Sequence, residues 1–161
     1  MKNILVPTDL SIRSLSYLHS LAEQHNEELN ITLMHALKLP DSILDFWVFS
    51  RSPKHYALVS NEFREACEVM KNKYSGVINT LQVEFFYGTT TPALRNFLKA
   101  HEIHEIALPE GLRYQCPCND SYNPDRLIKK CKLPVKHLKM TVQKQVITAA
   151  TSISELLVEQ H

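Results

Sequence analysis

KNILVPTDLS, Lys2 to Ser11, decides the fold. Ile4 to Val6 is a short run of apolar residues without alternation, the pattern of a strand buried on both faces. Strands of that kind belong to parallel sheets covered by helices. Pro7 and Asp9 break the run, and Ser11 is placed to cap a helix. Ile12, Leu15, Leu18, Ala22 and His25 then recur at spacings of three and four, which predicts a helix with one apolar face. Strand, polar turn and helix in that order make the first half of a β-α-β unit.

Outward from there the same alternation repeats. NITLMHALKL (Asn30 to Leu39) predicts a second strand, ended by Pro40 and Asp41. Asp41 to Tyr56 is irregular and carries Trp47 between Phe46 and Phe49; it reads as a loop that tucks aromatics onto the core, with a lid or partner surface as the alternative. A helix is predicted over Ala57 to Tyr74, buried along Val59, Phe63, Ala66, Cys67, Met70 and Tyr74, with Gly76 at its end. TLQVEFFYG predicts a strand with Leu81, Val83, Phe85 and Tyr87 on one face. Thr91 caps the next helix, with Pro92 at its first position and Leu94, Phe97, Leu98 and His101 inside. EIALP (Glu105 to Pro109) is a fourth strand. Asn123 and Pro124 start a helix through Leu127, Ile128 and Cys131, and VKHLKM (Val135 to Met140) is a fifth strand.

That order predicts an α/β, doubly wound, five-stranded parallel sheet with helices on both faces, Rossmann-like in winding. Ligands of such sheets bind beyond the C-terminal strand ends, where the winding reverses. PTDLS after the first strand and PEGLRYQ after the fourth both lie at such ends. The 161 residues suit one domain, and four cysteines in that length do not form a disulfide scaffold. A formal net charge of +1 gives no reason to expect nucleic acid or an anionic membrane, and no apolar run reaches the length of a membrane span. The expectation is a cytoplasmic protein with reduced thiols.

Several stretches resemble the universal stress protein family, which has the adenine nucleotide alpha hydrolase-like fold. They are KNILVPTDLS, LMHA in the second strand, FYGTTTPALRNFLKAHEIHEIAL, and LIKKCKLPVKHLK at the close. The resemblance covers residues 2 to 140, so residues 1–140 are taken as the domain and 141–161 as a C-terminal extension. It implies a homodimer formed through the last strand, and a nucleotide site built from Pro7, Thr8, Asp9 and Ala36 with Glu110, Gly111 and Ser121. ATP or AMP would be the ligand.

This chain departs from the family at the phosphate loop. Nucleotide-binding members carry three spaced glycines and then Ser or Thr after the fourth strand. Here the first glycine falls on Glu110 or Gly111, the second on Arg113 or Tyr114, and the closing pair on Ser121 and Tyr122. Glycine brings backbone N–H groups against phosphate in conformations a side chain disfavours. Each charge-assisted hydrogen bond lost forfeits about 1.5–3 kcal/mol. The chain is therefore expected to be a divergent, regulatory stress-response module that needs no cofactor, is not an enzyme, and acts through protein contacts.

Two alternatives stay open. One is a nucleotide or small-ligand site using Asp9 and the 110–126 loop. The other is a metal or thiol sensor using Cys116, Cys118 and Cys131, with His137 as a fourth metal ligand. C-P-C is tighter than the usual C-x-x-C of zinc sites, and a disulfide across one proline is strained. Small hydrophobes that order the loop are the plainer reading of these cysteines, and Cys67 is read as core. His35 is read as a satisfied core histidine. No G-x-S-x-G motif or ordered Ser-His-Asp set is present. In the extension, Ser152 to Glu155 (SISE) matches a capping box, and Ile153, Leu156 and Leu157 give the expected short helix an apolar face. Such a helix must dock, on its own domain or on a partner subunit.

Overall fold

A computed structural model of the chain describes residues 1–39 and 57–139. The Trp47 segment, Met140 and the C-terminal extension lie outside the described residues. Five strands, β1 (Lys2–Pro7), β2 (Leu29–Leu37), β3 (Ile78–Tyr87), β4 (Glu105–Pro109) and β5 (Val135–Leu138), form one sheet in the order β3-β2-β1-β4-β5. Every pairing is parallel. The winding runs outward from β1 to β3, then returns and runs the other way through β4 to β5. The reversal lies between β1 and β4.

Helices α1 (Ile12–Leu15), α2 (Tyr17–Gln24) and α3 (Asn61–Lys73) cover one face; α4 (Thr91–Ala100) and α5 (Asp125–Lys129) cover the other. Alternation along the central strands divides the core accordingly. Ile4 and Val6 of β1, with Ile31 and Leu33 of β2, meet Leu15, Leu18, Leu21 and Phe63. Leu5, Met34 and Ala36 meet Leu94, Leu98, Ile106 and Ile128. At the N-terminal end of β4 the buried Glu105 carboxylate is paired with Lys2, 3.0 Å away.

Local chemistry explains where the element boundaries differ from the sequence reading. The first predicted helix is two, because Ser16 N–H bonds Arg13 O and His19 N–H bonds Ser16 O, the tighter i to i−3 pattern. Its buried stripe is as expected, through His25. The helix expected from Ala57 begins at Asn61, where Ser60 Oγ accepts from Phe63 N–H at 3.0 Å. Gly76 sits in the turn beyond this helix without a left-handed φ. Cys67 packs half-buried against the first core cluster, and burial pushes its thiol up to about 12. The cap of α4 is Thr90, not Thr91, since Thr90 Oγ1 receives Ala93 N–H. On β3, Tyr87 is exposed and Phe86 is buried, the reverse of the expected alternation at that end; Phe86 belongs to the α4 face, edge-on to Phe97. β4 spans the expected residues.

Candidate functional site

The turn after β1 is a dense polar knot. Pro7 closes β1 against Met34 of β2. Asp9 is 4% exposed, and its Oδ1 accepts from both the backbone N–H (3.1 Å) and the hydroxyl of Ser11. Thr8 Oγ1 meets Ser14 Oγ at 2.8 Å and receives Leu10 N–H at 3.0 Å. Leu10 is held at φ 65°, a left-handed conformation that costs a non-glycine residue about 1 kcal/mol. The buried Leu10 side chain and the hydrogen bonds on either side hold it there. Ser11 also caps α1 through Ser14 N–H.

The long loop after β4 folds back over this knot. Gly111, at φ 78°, turns the chain in open space. Glu110 is exposed; its N–H bonds Leu138 O at 2.7 Å and its carbonyl receives the Tyr17 hydroxyl. Tyr114 and Gln115 then reach the crevice. Gln115 N–H donates to Asp9 Oδ2 at 3.0 Å, so both carboxylate oxygens have protein partners. The Tyr114 hydroxyl donates to Thr8 O at 3.0 Å, and its ring lies parallel to the His35 imidazole, 5° between planes and 6.3 Å between centroids. Burial, and then the negative charge of Asp9, raises the Tyr114 phenol far above its ordinary value.

His35 is fully buried beneath that ring. Its Nδ1 lies 2.8 Å from Thr8 O and its Nε2 lies 2.7 Å from Ser121 Oγ. Ser121 is itself 3.3 Å from Cys118 Sγ. Beyond Ser121 the loop is strapped across the strand ends. Ser121 bridges Leu37, Lys38 N–H donates to Asp120 O at 2.8 Å, Tyr122 N–H donates to Ala36 O at 3.3 Å, and the Tyr122 hydroxyl donates to Gly88 O.

Of the residues expected at a nucleotide site, Thr8, Asp9 and Ser121 come together at the crevice, and each is bonded to another part of the chain. Ala36 is fully buried in the second core cluster, facing away from His35. The two residues that matter most here, Tyr114 and Gln115, were not among the expected ones. Tyr114 is one of the two positions, with Arg113, on which the second glycine of the resembled pattern falls, and an aromatic side chain there was the available signal. A cavity of about 290 Å3 remains beside the knot, lined by Asp9, Ser11, Arg13, Ser60, Arg113 and Gln115 among others.

The candidate metal ligands Cys116, Cys118, Cys131 and His137 sit in different surroundings. Cys116 is exposed, Cys118 half-buried, and Cys131 is packed into the second core cluster. His137 lies exposed on β5. Among the described residues no group of three or more His, Cys, Asp or Glu side chains is placed to hold a metal ion. All four cysteines are free thiols. No described helix is long and apolar enough to cross a membrane.

The fold built on this strand order can be compared with solved structures. Hypothetical protein PH0823 aligns over 89% of this chain and 99% of its own, with a TM-score of 0.54 and 17% identity. Hypothetical protein MJ0577 aligns over 86% and 95%, with a TM-score of 0.50 and 19% identity. Universal stress protein UspA from Lactobacillus plantarum aligns over 85% and 97%, with a TM-score of 0.50 and 14% identity. The chain has a universal stress protein fold. No family model matches the sequence, and no curated protein matches it. At these identities the likeness shows the fold.

Proposed function

We propose that the protein is a divergent regulatory module of the universal stress protein family that does not hold ATP through its β4 loop and acts through protein contacts, without catalysis. The observation that carries this reading is the engagement of Asp9, Thr8 and His35 by Tyr114, Gln115 and Ser121. A nucleotide entering that crevice must displace a tyrosine ring, worth about 1.5–3 kcal/mol of burial, and a hydrogen bond to a carboxylate of about 1.5–3 kcal/mol. Each 1.4 kcal/mol of that reorganisation weakens apparent affinity about tenfold. Glu110 adds an anionic group next to the loop. β5 is an edge strand among the described residues, and its outer backbone groups can pair with a second copy, which supports a homodimer.

A second reading is favoured by the cavity beside Asp9, where Arg13 and Arg113 face a space that could take a small anionic ligand or part of a nucleotide. Calorimetry with magnesium ATP and with AMP separates the two readings. The proposed function expects no heat up to millimolar nucleotide, together with a dimer by light scattering. Low-micromolar binding that disappears in Asp9→Ala would establish the second reading instead.

A further inference from the structure

The hydrogen bonds of His35 determine where its protons are. Thr8 O can only accept, so the imidazole Nδ1 at 2.8 Å carries a proton. In the neutral ring Nε2 is then a lone pair, and Ser121 Oγ at 2.7 Å must donate to it. That uses the only hydroxyl proton of Ser121. Its oxygen is left to accept, and the thiol at 3.3 Å, Cys118, is placed to donate. The result is a directed chain, Sγ–H to Oγ–H to Nε2. Shifting both protons one step along it gives a thiolate and an imidazolium without displacing a heavy atom. The imidazolium keeps Nδ1–H on Thr8 O and donates Nε2–H to Ser121 Oγ, whose own proton, received from the thiol, now points back at the sulfur.

We propose that Cys118 is a modification site, a nucleophilic thiol whose proton is relayed through Ser121 to His35, and that its reagent is a small hydroperoxide. This holds whether or not the crevice accepts a nucleotide. The thiolate is the reactive form of cysteine, so a base that stores its proton accelerates attack. Cys118 is half-buried against the core, which admits a small uncharged reagent and disfavours a bulky one. In the step, the sulfur attacks one peroxide oxygen. An S–O bond forms as the O–O bond breaks, sulfur is oxidised to the sulfenic acid, and the peroxide is reduced to alcohol or water. The leaving oxygen takes the proton held on His35, returned through Ser121. His35 never touches the reagent; it is a positioning residue. Among the described residues, the titratable groups around the relay include Tyr114, stacked on His35, and Asp9, Cys116, Tyr122 and Asp125, which act electrostatically on Tyr114.

Cys116 supplies an internal control, being exposed in the same loop and outside the relay. The full-length protein is treated with hydrogen peroxide and dimedone, or with iodoacetamide over a pH series, and fragment mass spectra read the two cysteines separately. At neutral pH Cys118 is expected to react about a hundred-fold or more faster than Cys116, the lower end of what a positioned base provides. Ser121→Ala is expected to remove that advantage and leave Cys116 unchanged. His35→Asn keeps an N–H for Thr8 but has no Nε2. It is expected to shift the Cys118 pH profile up to that of Cys116. Equal rates and equal pH profiles at the two cysteines in the unaltered protein would overturn the proposal, even if both variants failed to fold. So would a Ser121→Ala protein that folds and keeps the Cys118 advantage.

Discussion

The turn after β1 and the loop after β4 meet in one crevice and are held in opposite ways. In the turn the partners are close in sequence: Asp9 with Ser11, Thr8 with Leu10 and Ser14, Ser11 with Ser14. In the loop the anchoring contacts are long-range: Tyr114 to Thr8, Gln115 to Asp9, Asp120 to Lys38, Ser121 to His35, Tyr122 to Gly88. A locally bonded turn forms in any context that supplies its first strand. A loop bonded at a distance forms only once β1, β2 and β3 are in place. The turn offers polar groups at the switch point, and the loop consumes them. That is why one crevice can retain the polar residues of a ligand site and still be filled from within.

The largest expected effects come from cutting the contacts between the two regions. Asp9→Ala leaves Ser11 and Gln115 N–H without their acceptor, and each stranded donor costs about 1–3 kcal/mol. Tyr114→Ala removes a ring packed on His35 and the bond to Thr8; about 3 kcal/mol is expected, near the low end for aromatic truncation because Tyr114 is only partly buried. Urea denaturation measures both. The double variant sharpens the comparison. Once Asp9 is gone the loop is already loosened, so the two losses should sum to less than additive by about 1 kcal/mol. Strict additivity would mean that turn and loop are independent, and the filled crevice would lose its meaning as a unit.

Alkaline pH tests the loop side, with Tyr17 of α2 and the Cys67 thiol of α3 contributing beside it. Burial, first, and then Asp9 raise Tyr114; burial raises Tyr122 to about 12; burial raises Tyr17, with Glu110 and Asp9 adding to it against Arg13. A raised phenol keeps its proton longer in the folded protein than in the unfolded chain. Its contribution to stability is therefore complete below the ordinary tyrosine value of 10.0 and is lost as pH rises above it. The urea midpoint is expected to fall from about pH 9 upward, first through the raised Cys67 thiol and then through the tyrosines, and Tyr114→Phe should flatten the fall above about pH 10. At neutral pH the same variant loses the hydroxyl bond to Thr8, about 1 kcal/mol, and the longer 3.4 Å contact to His35 Nδ1. An unchanged alkaline slope would place the Tyr114 phenol in solvent.

The same contrast explains what could be read in the sequence. The order of strands and helices was legible because each element carries its own period. Ile4 to Val6 reads as buried on both faces, and Ile12, Leu15 and Leu18 as one helical stripe, without reference to any other segment. The Asp9 turn was legible for the same reason. Ser60 was missed as a cap because Val59, just before it, continues the apolar stripe of the helix it precedes. Tyr87 was misplaced because β3 is an edge strand among the described residues, and at its end Phe86 finds α4. Tyr114 and Gln115 were missed for a stronger reason. Nothing in GLRYQCPC says that its backbone will find Asp9 on another loop, since that partner is fixed by the whole sheet. The Cys118–Ser121 turn was local, yet its third member, His35, was not.

The smallest expected effect lies at the one surviving glycine. Gly111 holds φ 78°, and a methyl group added there meets nothing within 4 Å. The only cost of Gly111→Ala is therefore the left-handed backbone, about 1 kcal/mol, partly offset by the stiffer unfolded chain. Asparagine tolerates that conformation better, so Gly111→Asn should cost less than alanine by a few tenths of a kcal/mol. Both values follow if the glycine serves only to turn the chain toward Tyr114. If instead it brings backbone against a bound group, as the glycines of a phosphate loop do, alanine and asparagine would be harmful alike. The damage would then appear in ligand binding rather than in urea. Comparing the two substitutions in urea and in calorimetry thus asks, of a single residue, whether the β4 loop still cradles anything or only closes the crevice.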